Sequence, residues 1–322
     1  MAAVIFPAHL RIAVLIPCYN EETAVSQVVQ GFQRALPQAT VYVYDNNSRD
    51  RTAEAARAAG AVVRREPLQG KGNVVRRMFS DIEADIYVLC DGDATYDAAF
   101  APEMIEALLD GPLDMVTGAR VTDIKTAYRS GHRAGNALLS AMVARIFGNR
   151  IKDMLSGYRV FSRRFVKSFP ALTSGFEIET ELTVHALELR MPTLEIRTPY
   201  KDRPAGSVSK LSTFRDGCRI VLAVFVLIKG ERPLQFFSLV ALFLALVSGI
   251  LIAPVLIEFL EIGLVPRLPT AVLAMGLVGI GFLSLACGMI LDTVTRGRRE
   301  MKRMHYLNIS ATWPGPPRER GE

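Results

Sequence analysis

Short apolar runs rich in β-branched residues recur along the first part of the chain at residues 12–16, 41–44, 61–64, 86–90 and 115–117. Between them lie stretches with helical spacing at residues 22–35, 51–59, 72–82 and 101–109. Runs this short, bounded by Gly, Asn, Asp and Pro, predict strands, and the longer periodic stretches predict helices. Their alternation predicts an α/β fold, a largely parallel sheet with helices on both faces. A further amphipathic stretch, residues 134–147, places Leu138, Leu139, Met142, Val143 and Ile146 at helical spacing and is expected to face a core or a membrane.

The pattern then changes. Residues 234–257 and 271–291 contain no charged side chain over 24 and 21 positions, whereas a helix needs roughly 20 residues to cross the hydrocarbon of a bilayer. Both predict transmembrane helices, with Pro254 tolerable near the end of the first. The apolar run at residues 220–228, bracketed by Arg219 and Lys229, is too short to cross and predicts a helix lying in the membrane interface. The expected organisation is therefore an α/β domain over residues 1–212, an amphipathic interface helix over 213–232 and a two-helix transmembrane hairpin over 233–291. A basic tail follows over 292–322, partly disordered where residues 312–322 are rich in Pro, Gly and charge.

Charge supports that division. The formal net charge is +6, yet residues 1–200 carry 23 basic and 23 acidic side chains. The excess lies at residues 201–232, with seven basic against three acidic, and at residues 292–322, with seven against four. Basic flanks on both outer sides of the hairpin place the α/β domain and both termini in the cytoplasm by the positive-inside bias. The same distribution argues against a nucleic-acid partner. Cys18, Cys90, Cys218 and Cys287 are widely spaced, which suggests neither a zinc site nor a disulfide framework and fits a reducing compartment. No basic region precedes the apolar start of the chain, so a cleaved signal peptide is not expected.

In open α/β sheets ligands bind beyond the carboxyl ends of the strands. The residues there are Pro17-Cys18-Tyr19-Asn20-Glu21-Glu22, then Asp45-Asn46-Asn47-Ser48, then Asp91-Gly92-Asp93. No GxGxxG follows a strand and no GxxxxGK[ST] occurs, which removes the usual dinucleotide and P-loop readings. Asp91 and Asp93, around a turn at Gly92, set two carboxylates where both reach one divalent cation, and through it a diphosphate. Gly70-Lys71-Gly72-Asn73 opens a helix with exposed backbone donors and a cation suited to phosphate. Arg120, Arg129, His132 and Arg133 add cationic groups, the guanidinium forks matching a phosphate monoester.

The order PCYNEE, DNNSRDRT, GKGNVVR and DGDATYD resembles the nucleotide-sugar-binding half of the inverting family 2 glycosyltransferases of GT-A fold. With the two C-terminal spans, the chain is similar to the polyprenyl-phosphate glycosyltransferases, which include dolichyl-phosphate mannose and glucose synthases and relatives that charge undecaprenyl phosphate. The resemblance implies that Pro17, Tyr19 and Glu21 approach the nucleoside, that Asp45 reads the base with Asn47 beside it, and that Lys71 lies beneath it. It implies that Asp91 and Asp93 bind Mg²⁺ or Mn²⁺, and that Asp153, in KDMLSGYR, lies near the acceptor. Glu177 and Glu181 match an acidic helix, and Arg203, Ser209 and Lys210 match an R-x-x-G-x-S-K element before the interface helix. Thr95 stands where many mannose synthases carry a polar amide, which leaves the third metal ligand open.

The implied activity is inverting transfer of a hexose from a nucleotide sugar to a polyprenyl phosphate at the cytoplasmic membrane face. UDP-glucose is favoured over GDP-mannose on the GKG loop. Asp91 and Asp93 are the expected metal ligands, and Gly92, Arg120, Glu177, Ser209 and Lys210 join the donor-binding set. Asp153, Arg129, Arg133 and Arg203 are expected to align the acceptor. Two alternatives stay open: transfer to a diacylglycerol or other lipid hydroxyl, and a non-catalytic membrane scaffold or sensor that binds nucleotide sugars. Polymer synthesis is disfavoured, because the one tryptophan, Trp313, lies in the tail rather than in a Q/R-x-x-R-W motif. Small residues in the spans, Gly249, Gly276, Gly279, Gly281 and Gly288, permit close helix packing and a homo-oligomer.

Overall fold

The computed structural model describes residues 6–121, 153–175, 177–201, 230 and 232–311. The chain forms two compact units, Met1–Gly217 with Lys302–Glu322, and Cys218–Met301. The first is built in the order β1 (Ile12–Cys18), α1 (Val25–Ala35), β2 (Thr40–Asp45), α2 (Thr52–Ala58), β3 (Val62–Arg65), α3 (Lys71–Asp81), β4 (Ile86–Leu89), α4 (Ala101–Asp110), β5 (Met115–Val121), β6 (Arg159–Ser162), α5 (Arg163–Ser168), α6 (Ile178–Glu188) and β7 (Thr193–Pro199). All nine strands and helices expected over residues 12–117 are present.

The seven strands form one sheet in the order β3-β2-β1-β4-β6-β5-β7. β1 pairs in parallel with β2 and β4, β2 with β3, and β5 with β7, while β6 runs antiparallel between β4 and β5. β1 and β4 are buried along almost their whole length, as expected of central parallel strands covered on both faces. α1 turns Val25, Val28, Val29 and Phe32 onto the sheet at the i, i+3, i+4, i+7 spacing. α4 starts with Pro102 in its first turn and buries Met104, Ile105 and Leu108. β6 and β7 were not legible as strands in the apolar pattern. β6 is only four residues long and passes directly into α5, and β7 is an edge strand ending in Pro199, so neither makes a continuous apolar run.

The second unit holds α7 (Pro233–Ile262) and most of α8 (Leu268–Leu307), both long and apolar enough to cross a membrane. α7 carries Pro254 inside the helix. The two helices touch where Ser248 Oγ donates to Ala274 O at 2.8 Å and Ser284 Oγ to Phe237 O at 3.3 Å. Of the five glycines expected to permit close packing, Gly281 and Gly288 lie in this contact; a Cβ on Gly288 would come within 2.8 Å of Phe237 Cβ. Gly249, Gly276 and Gly279 have nothing within 4 Å of a Cβ position. α8 does not end near residue 291 but continues to Leu307, because the sequence after the apolar run is still rich in good helix formers.

Candidate functional site

Six strands end, and the reversed β6 begins, at one edge of the sheet. That edge carries Cys18 and Asp45 opposite each other in register, and the Leu89–Arg159 and Thr117–Arg159 pairs. The turns leaving β1 and β2 are laced together. Asn20 N–H donates to Ser48 Oγ at 2.9 Å, Glu21 N–H to Thr52 Oγ1 at 2.8 Å, and Arg49 N–H to Asn20 Oδ1 at 2.8 Å. Pro17 and Tyr19 are half-buried beside this turn, and Glu21 is buried. Asp45, also buried, accepts from Ser48 N–H at 3.3 Å and so fixes its own turn. Asn47 stands in the left-handed region and donates to Pro67 O at 2.7 Å.

Asn46 is the fastener between this turn and the loop that follows β3. Its amide nitrogen donates to Glu66 O and Leu68 O at 2.9 and 2.7 Å, and its oxygen accepts from Gly70 N–H at 2.7 Å. Gly70 and Gly72 let the chain pass against Thr173 and Ser174, whose carbonyl oxygens a Cβ at either glycine would strike. This corrects the expectation of exposed donors at the start of α3. Gly72 N–H donates to Ser174 O at 3.0 Å and Gly70 N–H is taken by Asn46, so these amides hold the loop together.

Lys71, expected as a cation suited to phosphate, is buried and paired. Its side chain is 8% exposed and its ammonium lies 2.5 Å from both Asp91 Oδ1 and Glu179 Oε1. Burial lowers the ammonium, but the two carboxylates outweigh it and hold Lys71 above its ordinary value, charged. Burial in turn raises the Glu179 carboxyl against the pull of Lys71. Of the acidic helix, then, Glu179 faces the site and neither expected residue does. Glu177 is exposed at the helix start, and Glu181 accepts from Leu172 and Thr173 N–H at 2.8 and 2.9 Å. The signal was available, because Glu179 shares its helical stripe with Leu182, Thr183 and Ala186, all buried.

Asp91 and Asp93 sit immediately beyond β4, with Gly92 packed over Cys18 Sγ. Asp93 is buried and its Oδ1 accepts from Thr95 Oγ1 at 2.6 Å and Thr95 N–H at 3.2 Å. Thr95 therefore orients a carboxylate. Asp91 Oδ2 rests against the backbone of Gly157, which Tyr96 holds by accepting its N–H at 2.9 Å. Any Cβ at residue 157 would collide with that carboxylate. Among the described residues no group of three His, Cys, Asp or Glu is gathered as a metal cage. Two hard carboxylate oxygens suit Mg²⁺ or Mn²⁺ with water and a diphosphate completing the shell, so the donor set fits such an ion.

Asp153 faces Arg120 at the end of β5. Arg120 Nε and N–H donate to Oδ2 at 2.8 and 3.0 Å, and Nη2 donates to Oδ1 at 2.7 Å. Burial raises the Asp153 carboxyl, but Arg120 outweighs it and holds the group below the usual carboxylate range. An ionised carboxylate with both oxygens committed is a strut, and it occupies the fork that Arg120 was expected to offer to phosphate. Arg159, fully buried, donates to Met154 O at 2.6 Å, Ser156 O at 3.0 Å and Glu179 O at 3.1 Å, tying the 153–158 loop to α6. Arg129, His132, Arg133, Arg203, Ser209 and Lys210 lie outside the described residues, as do the 134–147 stretch and residues 213–229 and 231 of the expected interface helix.

The glycosyl transferase family 2 model matches residues 13–169, which span β1 to α5. The glycosyltransferase AglJ of Haloferax volcanii is 33% identical over 304 residues, covering 94% of this chain and 99% of that one. The dolichyl-phosphate hexose transferase of the same organism is 29% identical over 221 residues, 69% of this chain and 95% of its own. Among solved structures, glucosyl-3-phosphoglycerate synthase from Mycobacterium tuberculosis, crystallised with Mn²⁺, UDP-glucose and phosphoglyceric acid, superposes with a TM-score of 0.55. It is 21% identical over 69% of this chain and 80% of that chain, a likeness of fold, GT-A-like and mostly parallel. The chain, matching the glycosyltransferase AglJ over almost the whole length of both, belongs to glycosyl transferase family 2.

Proposed function

We propose that this glycosyltransferase moves a hexose, with inversion, from a nucleotide sugar to a polyprenyl phosphate at the cytoplasmic face of a membrane, with UDP-glucose the favoured donor. The observation that carries the acceptor is that the transferase unit and two helices of spanning length share one chain. A relative named for dolichyl-phosphate hexose transfer supports the same class. The fold neighbour crystallised with UDP-glucose supports the donor over GDP-mannose.

Asp91 and Asp93 would hold Mg²⁺ or Mn²⁺, which when bound neutralises the departing nucleoside diphosphate. The nucleoside lies in the turns built by Glu21 and Asp45. Arg129, Arg133 and Arg203 are assigned to the acceptor phosphate, with Ser209 and Lys210 beside the donor. Their task is alignment, because a phosphate monoester with a second pKa near ~6 is already largely a dianion at neutral pH and needs no base. The engagement of Asp153 by Arg120 favours this acceptor over a lipid hydroxyl, which would need a proton removed.

The test is transfer by purified full-length protein with labelled UDP- and GDP-sugars, undecaprenyl phosphate or diacylglycerol, and Mg²⁺ or Mn²⁺. Lipid-linked sugar forms from one donor on the phosphate, is abolished by EDTA and falls at least a hundredfold in Asp91→Asn. Asp153→Asn keeps measurable transfer. Transfer to diacylglycerol alone would move the assignment to a hydroxyl acceptor, and binding without turnover would make the chain a sensor.

A further inference from the structure

The position of Lys71 carries an inference beyond that assignment, though it rests on the reading of Asp91 as a metal ligand. Asp91 has one oxygen against Gly157, where no Cβ fits, and the other against the Lys71 ammonium at 2.5 Å. A cation already sits on the carboxylate that the divalent ion requires. The ammonium is not stranded if it leaves, because Glu179 Oε1 holds it equally closely and Glu179 is itself 8% exposed.

We propose that Lys71 is a built-in counter-cation that occupies Asp91 in the donor-free enzyme and, tethered by Glu179, yields it when metal and nucleoside diphosphate arrive together. Like charges repel, so the ammonium and a divalent cation do not share Asp91 without cost. A diphosphate changes the balance by giving Lys71 a new anion within reach while adding oxygen ligands for the ion. Metal and donor then bind with positive coupling, and by linkage each strengthens the other by the same factor. Glu179 is on this account a positioning residue, keeping the ammonium at the site through the exchange.

The experiment is Mn²⁺ binding to the full-length protein in detergent, followed by electron paramagnetic resonance of free Mn²⁺, with and without UDP or GDP. In the native protein the matching nucleotide tightens Mn²⁺ binding at least tenfold. Lys71→Met binds Mn²⁺ alone at least tenfold more tightly than the native protein, and the nucleotide adds less than threefold. The double variant Lys71→Met, Glu179→Gln removes one charge of each sign and shifts in the same direction, which covers a single variant that does not fold. Unchanged or weaker Mn²⁺ binding by the variants overturns the proposal. If no protein binds Mn²⁺ even with UDP or GDP, the metal-dependent reading itself fails.

Discussion

Gly157 sets the geometry of Asp91 without contributing a side chain. It was legible only as one letter of KDMLSGYR, because nothing in sequence spacing says that residue 157 meets a carboxylate sixty-six positions earlier. Gly157→Ala would drive a methyl into Asp91, which the Lys71 bridge on its other side prevents from yielding freely. The expected outcome is a loss of transfer of at least a hundredfold with the thermal unfolding midpoint nearly kept. Activity within threefold of native would show that Asp91 relaxes. Asn46 and Glu179 were missed for a related reason. Each acts on a loop or strand end remote in sequence, and only the helical stripe around Glu179 announced a buried carboxylate in advance.

At the scale of elements, the strand and helix pattern over residues 12–117 was legible because each segment's apolar period matches its structure. The end of α8 was not. Residues 302–311 belong to the catalytic unit: Lys302 Nζ lies 2.7 Å from Glu188 Oε2, and Tyr306 OH donates to the buried Asp114 Oδ2 at 2.6 Å, beneath the Arg164 guanidinium. The Glu188 side chain is 1% exposed, so removing this cation takes away part of what compensates a buried carboxylate, at a cost of up to about 3–5 kcal/mol. Lys302→Met is therefore expected to lower the melting midpoint of the full-length protein by roughly 5 °C or more. Adding Glu188→Gln recovers most of that loss. Equal loss in the single and double variants would show that the pair contributes through packing and not charge.

For the whole molecule, the division into a transferase unit and an apolar helical unit predicts how the protein fractionates. α7 and α8 expose Leu239, Phe243, Leu246, Ile250, Leu260 and Phe282, a surface that water does not tolerate at this density. After cell lysis the full chain should stay in the membrane pellet through high salt and alkaline carbonate and be released by detergent alone. Release by salt would mean that basic flanks hold it at the surface and that the helices do not span.

What the sequence determined by itself was local: apolar period, charge-free length and the residues left at strand ends, which together fixed an α/β unit followed by two long apolar helices. It also pointed to the family through four short motifs. The tertiary structure alone decided which of those polar residues meet. Lys71 meets Asp91 and Glu179, Asp153 closes on Arg120, and the amides of Gly70 and Gly72 are spent on Asn46 and Ser174. The reason is that a buried charge or amide must find a partner, and the partner is chosen by which loops the sheet order brings together, not by distance along the chain.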